Sequence, residues 1–305
     1  MSRRDLSLLF ILAAMWGGSF LFIRVSAPVL GPVVLGEVRV GLAAAALLLY
    51  AGFSRHRPAL RTRWKSYLML GLLNAAIPFV LIATAELHLT AALAAILNAT
   101  TPLFGAVVAA VWLGEAFTRA KGMGLVLGVS GVAVLVGWSP LRFDVSTVVA
   151  IGASLLAALS YGVGGAYARR AFKGAQPLDL AIGQQAAATL LLFPLAVPSA
   201  VGHTLSISIS PVVAFSVVML SLLCTAVAYI LYFALIASVG STKTLSVTLL
   251  APLFGVLWGA LFLRETVSLS TVLGMVIILS SVFFVTGLKV ALPRRPAVAL
   301  ARSRS

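Results

Sequence analysis

Arg39 is the residue whose chemistry most needs explaining. It lies about two helical turns inside a long apolar run, where ionised side chains are costly and mark functional positions. Its planar fork of donors fits a carboxylate or phosphate. The competing reading has it reach to lipid headgroups or pair with Glu86. Asn98, Thr101 and Thr248 stand close to Pro102 and Pro252, with Thr100 and Ser246 beside them. A proline removes a backbone donor and frees the carbonyl four residues earlier, here those of Asn98 and Thr248. At membrane depth such a carbonyl lines a cavity or is satisfied by neighbours. The plainer alternatives are a helix kink and polar side chains joining helix to helix. Trp16, Tyr161, Tyr229 and Tyr232 fall inside apolar runs rather than at their ends. They suit the wall of a cavity for an amphiphilic solute, or plain packing.

This is chemistry of binding, not of bond-breaking. The seven acidic residues are Asp5, Glu37, Glu86, Glu115, Asp144, Asp179 and Glu265, and none is paired at metal or acid–base spacing. His56, His88 and His203 are scattered through loops, and no zincin, P-loop or strand-bound glycine fingerprint is present. Cys224 is the only cysteine, which excludes an intramolecular disulfide and a thiolate metal site; it reads as a small core residue. No catalytic residue, metal ligand or cofactor is expected, and the chain is not read as an enzyme.

The elements that position these groups are membrane helices. Of 305 residues 61% are hydrophobic and 10% charged, and the mean hydropathy is +1.12. A soluble domain needs about a quarter of its residues charged, so lipid must cover this surface. Ten runs are long enough to span: Leu6 to Val25, Val33 to Gly52, Tyr67 to Leu87, Ala91 to Leu113, Gly122 to Trp138, Val148 to Ala168, Leu178 to Val197, Val212 to Ile236, Thr244 to Leu263, and Leu269 to Leu288. The first is a span and not a cleaved leader, because no small-residue cleavage site follows it. With the N-terminus in the cytoplasm, 18 of the 22 Lys and Arg are cytoplasmic, Arg24, Arg142 and Arg264 are external, and Arg39 is intramembrane. That asymmetry sets both termini inside. The net charge of +15 follows this clustering and is no nucleic-acid footprint. Glu86 and His88 are expected to be solvated at the external interface.

The chain repeats itself. Pro102-Leu103-Phe104-Gly105 and Glu115 recur as Pro252-Leu253-Phe254-Gly255 and Glu265, and Gly124 matches Gly274. A second alignment pairs Trp16-Gly17 with Tyr161-Gly162, Arg24 with Arg169, Pro32 with Pro177 and Arg39 with Gln184. Five helices per copy is an odd number, so the copies enter the membrane from opposite sides, as alternating access requires. Glu115 and Glu265 close their helices at the interface and are expected to cap the next helix. Small residues at Gly255 and Gly259, Gly124 and Gly128, and Ala91 to Ala95 are packing seams.

The Trp16-Gly17-Gly18-Ser19 run, the two Pro-Leu-Phe-Gly segments and the two closing glutamates resemble the EamA family of the drug/metabolite transporter superfamily, from about Leu6 to Leu288. The resemblance implies a central cavity lined chiefly by helices one to four and six to nine, with the fifth and tenth peripheral, and a substrate class of amino acids and other small metabolites. The small multidrug branch of that superfamily carries a glutamate in its first helix. Neither Leu6 to Val25 nor Val148 to Ala168 contains a carboxylate, so a neutral or zwitterionic solute is expected over a permanent cation.

The expectation is therefore an all-α integral membrane fold of ten helices. Residues 1–138 form the first repeat, 148–288 the inverted second, and 289–305 a basic cytoplasmic tail. The expected function is secondary transport of a small metabolite, an amino acid or related solute, with export the expected direction, across a bacterial cytoplasmic membrane. Partners are the solute and membrane lipid, with no nucleic acid, in a monomer or homodimer. The alternative is a polytopic membrane enzyme or assembly factor acting on lipid, which would need catalytic groups clustered at one interface.

Overall fold

The computed structural model describes residues 2–138, 144–204, 209–240, 244 and 246–286. The 289–305 tail, Arg142 and Lys243 lie outside the described residues. Everything described is helix or short connection. The spans are α1 Arg3–Leu30, α2 Pro32–Phe53, α3 Arg61–Ala85, α4 Ala91–Leu113, α5 Arg119–Gly137, α6 Val145–Ala171, α7 Pro177–Thr204, α8 Pro211–Val239, α9 Val247–Leu263 and α10 Leu269–Thr286. Nine of these reach membrane-spanning length among the described residues, and the 17-residue α9 is shorter. Apolar side chains such as Val111, Leu190 and Leu269 stand exposed on the outside, at 84%, 72% and 72%, where only lipid could cover them.

Helix ends are closed by side chains, because orphaned N–H groups are costly at a bilayer boundary. Ser2 and Asp5 make a reciprocal box at the start of α1, with Asp5 Oδ2 accepting from Ser2 N at 2.9 Å. Thr90, Thr118 and Ser210 cap α4, α5 and α8. Asp144 caps α6, and the Thr147 backbone N–H donating to its carboxylate at 2.8 Å holds that acid at about 2.

Span ends differ from the hydropathy windows, since helices continue past the apolar stretch wherever protein covers them. The α1 helix runs on to Leu30, with Arg24 inside it, half-buried, its Nη1 donating to the Glu86 carbonyl. Two spans carry π-helical turns, Leu72–Ala76 in α3 and Met219–Val227 in α8. These occupy matching positions in the two repeats, and such turns concentrate at functional sites.

Packing between the halves obeys the internal symmetry. A Cβ on Gly17 would lie 2.5 Å from the Ala251 carbonyl oxygen and 2.6 Å from Phe254 Cβ. One on Gly162, its counterpart, would lie 2.8 Å from Gly105 N and 3.1 Å from the Phe104 carbonyl carbon. Each Gly after the early aromatic thus seats the Phe-Gly pair of the other copy. The same exchange joins α5 to α10: Gly124 faces Val285, and Gly274 faces Leu135. These reciprocal contacts fit two inverted five-helix repeats.

Candidate functional site

Between the repeats lies a cavity of about 300 Å³, at the lower end of the range for small-molecule sites. Trp16, Arg39, Asn98, Thr101, Tyr161, Tyr229, Tyr232 and Thr248 all line it, as do Pro102 and Pro252. Gln184 does not. It is buried one layer back, where its Oε1 accepts from Asn74 Nδ2 at 2.8 Å and its side chain hydrogen-bonds Tyr229. Lining residues come from α1 to α4, α6, α8 and α9; α7 contributes none among those described, and α5 and α10 are peripheral.

Arg39 neither snorkels nor pairs with Glu86. Its side chain is buried, at 7% exposure, with Nε donating to Thr225 Oγ1 at 3.0 Å. The guanidinium carbon lies 3.7 Å from the centroid of the Phe79 ring, a cation–π contact. Neither Nη makes a hydrogen bond among the described residues, and no other charged residue lines the cavity. A positive fork faces a space walled by Trp16, with Tyr232 at 5.4 Å between ring centroids and Tyr229 edge-on at 6.5 Å. Asn74 and Cys224 were not expected as wall residues. They hold equivalent places in the two π-helical turns and both line the cavity, so Cys224 is wall as well as core.

In the first copy the proline segment both lines the cavity and satisfies its freed carbonyl locally. The α4 helix breaks at Ala99 and Thr100, and the Asn98 carbonyl freed by Pro102 accepts from Thr101 Oγ1 at 2.7 Å. Thr100 likewise donates to Leu97 O at 2.6 Å. The polar group left over is the Asn98 side chain, whose Oδ1 is buried without a partner.

Two expectations about carboxylates fail. Glu86 is not solvated at an interface: it is fully buried, because Arg24, Leu89 and the first turn of α4 close over the end of α3. Neither does either closing glutamate cap the helix that follows it. Glu265 reaches across the repeats to the first turn of α4, where Oε1 accepts from Ala91 N at 2.7 Å and Oε2 from Ala92 N at 3.0 Å. Gly259 makes room, since a Cβ there would sit 2.5 Å from Glu265 Oε2. The first copy has Ala109 at that position, and Glu115 turns instead to Arg169 at 2.7 Å and Lys121 at 3.4 Å. Burial works against it, but those cations hold the Glu115 carboxyl below its ordinary value. Arg264, just before the latch, sits at φ +55, a strain of about 1 kcal/mol that the two N–H bonds offset.

Glu265→Gln is therefore expected to destabilise the protein by about 1.5–3 kcal/mol, the range for a charge-assisted hydrogen bond. Glu115→Gln breaks exposed pairs worth about 0–1 kcal/mol. Thermal unfolding in detergent ranks the two, and equal losses would mean the cross-repeat bonds are incidental.

Ten apolar helices in two inverted halves around an amphiphilic cavity define a multi-pass integral membrane protein. The EamA-like transporter family model matches residues 4–137 and again 148–287. The chain belongs to the EamA-like transporter family. It is similar to the uncharacterized transporter YvbV of Bacillus subtilis, 25% identical over 92% of this chain and 91% of the relative. An uncharacterized transporter of Archaeoglobus fulgidus is 26% identical over 94% and 98%. A WAT1-related chloroplastic protein of Arabidopsis thaliana is 26% identical over 88% of this chain and 66% of its own length. A solved crystal structure shares the fold at TM-score 0.64 and 19% identity, covering 93% of this chain and 96% of the other. Family and relatives agree on a membrane transporter.

Proposed function

We propose that this protein carries a small carboxylate-bearing metabolite, an amino acid or a related amphiphilic acid, across the cytoplasmic membrane by alternating access. The observation that carries this reading is the Arg39 guanidinium. It is buried, among the described residues it is hydrogen-bonded only through Nε, and it faces an aromatic cavity where those residues offer no counter-charge. A carboxylate there would take two charge-assisted bonds from the free Nη groups, while Trp16, Tyr229 and Tyr232 cover the apolar part of the solute. A zwitterion or a monoanion fits; a permanent cation is repelled. The inverted halves supply two arrangements of similar energy, one open to each side. The basic bias of the connections in the sequence supports both termini in the cytoplasm. Such a carrier works in both directions, and export follows whenever the solute is more concentrated inside.

The test is uptake by liposomes containing the purified protein, using a panel of labelled L-amino acids and short monocarboxylates. Saturable exchange of a carboxylate, lost when that carboxyl is esterified, is expected. Ester and acid exchanging equally would remove Arg39 from the solute's path.

A prediction about the wall follows. Trp16→Ala is expected to raise the half-saturating solute concentration about tenfold, the effect of losing roughly 1.4 kcal/mol of aromatic contact. Membrane insertion should be unchanged. The measurement is the concentration dependence of initial uptake, and a fall in maximal rate at constant half-saturation would assign Trp16 to helix packing.

A further inference from the structure

Glu86 is a carboxyl group that no bond in the fold accounts for. Its residue is 0% exposed, and among the described residues neither Oε1 nor Oε2 has a hydrogen-bond partner. Its backbone is fully engaged: the N–H donates to Ile82 O at 2.9 Å, and the carbonyl accepts from Arg24 Nη1. Arg24 thus spends its hydrogen bond on the main chain, leaving the Glu86 carboxyl with charges nearby but no hydrogen bond among the described residues. An ionised carboxylate in that position is expensive, and a packing residue of the same size would cost nothing.

Its location gives the cost a use. Ile82, one turn earlier, lines the cavity. Ile82 also belongs, with Ile23 and Ala95 of the cavity wall, to an apolar plug completed by Phe20, Ala27 and Leu220. Glu86 lies one helical turn on from Ile82, beside this cluster, which continues through Leu87 and Ala91, at the end of the bundle where Glu265 latches α4. The charged groups facing it are Arg24 on α1, Glu265 after α9 and Arg39 on α2, while His88 on its own connection is exposed. With Glu86 ionised, two cations face two anions. A solute carboxylate on Arg39 adds a third negative charge to this dry region, and one proton on Glu86 cancels it. Solute binding and proton binding therefore favour each other, and such coupling is reciprocal.

We propose that Glu86 is a proton-binding site and that one proton accompanies each carboxylate solute in the same direction. The carboxylate takes a proton from water when its end of the bundle is open, becoming a neutral acid. It is carried through the sealed arrangement in that form, and it releases the proton as the solute leaves Arg39 on the other side. No redox or covalent step is involved. The inference rests on the carrier reading above, and it adds the coupling ion.

The experiment uses liposomes carrying the full-length protein, a trapped pH-sensitive dye and the labelled L-amino acids and monocarboxylates of the panel. For the wild type, an acid-outside gradient of one pH unit is expected to drive about tenfold transient accumulation at one proton per solute, with matching acidification of the lumen. In Glu86→Gln the ratio of gradient-driven uptake to solute exchange should fall to one, and Glu86→Asp should restore part of it. Wild-type exchange that ignores the gradient, or a Glu86→Gln protein that still accumulates solute, would overturn the proposal while leaving the carrier intact. If Glu86→Gln does not fold, lumen acidification in the wild type decides alone, its absence counting against coupling. A sodium gradient driving uptake where a proton gradient does not would also overturn it. Absence of exchange for every member of the panel overturns the carrier reading itself.

Discussion

Arg39→Ala is expected to cut uptake of a carboxylate solute at low concentration by at least about thirtyfold, corresponding to the roughly 2–5 kcal/mol lost when one partner of a buried charge pair is removed. The protein should nevertheless fold. Thr225 Oγ1, which accepts from Arg39 Nε, is also anchored to its own helix by donating to Leu220 O at 2.8 Å. Phe79 and the α2 backbone remain packed in the apolar cluster with Val40, Ala75 and Ala188. Removing an uncompensated buried cation relieves a desolvation cost, so the melting temperature should stay level or rise. Opposite signs for activity and stability separate a binding residue from a packing residue. Arg39→Lys keeps the charge without the planar fork and should recover only part of the uptake. Initial rates per inserted carrier, with unfolding followed in parallel, check all three. Uptake of the acid within twofold of wild type in Arg39→Ala would place the solute elsewhere.

How much of this was legible beforehand follows from what sequence patterns encode. Hydropathy reports burial in lipid or protein without distinction, so it found ten spans but ended the first at Val25, whereas α1 continues to Leu30. Internal repetition was legible because both copies keep the residues that touch across the interface, Gly17 with Gly162 and Phe104-Gly105 with Phe254-Gly255. Eight of the nine proposed cavity residues line the cavity, since aromatic and polar groups inside apolar runs have few other uses. What escaped depends on long-range contact. Nothing local marks Glu86 as buried, as its burial is completed by α1 and α4. The partner of Glu265 lies 174 residues away in the other repeat, whereas local spacing suggested the adjacent helix. Gln184 supports Asn74 rather than the cavity because the π-helical turn in α3 rotates Asn74 inward, and no residue pattern announces such a turn.

A large effect on both stability and transport is expected from placing a methyl group at the α1–α9 crossing. In Gly17→Ala the new Cβ meets a backbone oxygen and a Cβ, at 2.5 and 2.6 Å, and neither can rotate away, so the helices themselves must separate. Overpacking of this kind costs about 1–3 kcal/mol, or several degrees in melting temperature at about 2–4 °C per kcal/mol. Gly162→Ala makes the symmetry-related wedge against the α4 backbone at 2.8 and 3.1 Å and should cost less. Gly165→Ala, on the same helix with nothing within 4 Å, should be neutral or stabilising by about 0.5–1 kcal/mol, because alanine is the better helix former. The functional consequence separates these from simple destabilisation. Gly17 and Gly162 lie one residue after the cavity aromatics Trp16 and Tyr161, so a wedge at either crossing moves a cavity wall. Both variants should lose uptake even at temperatures where they remain folded, whereas Gly165→Ala should keep it. A Gly17→Ala protein that melts and transports like wild type would mean that the two repeats do not meet at this crossing.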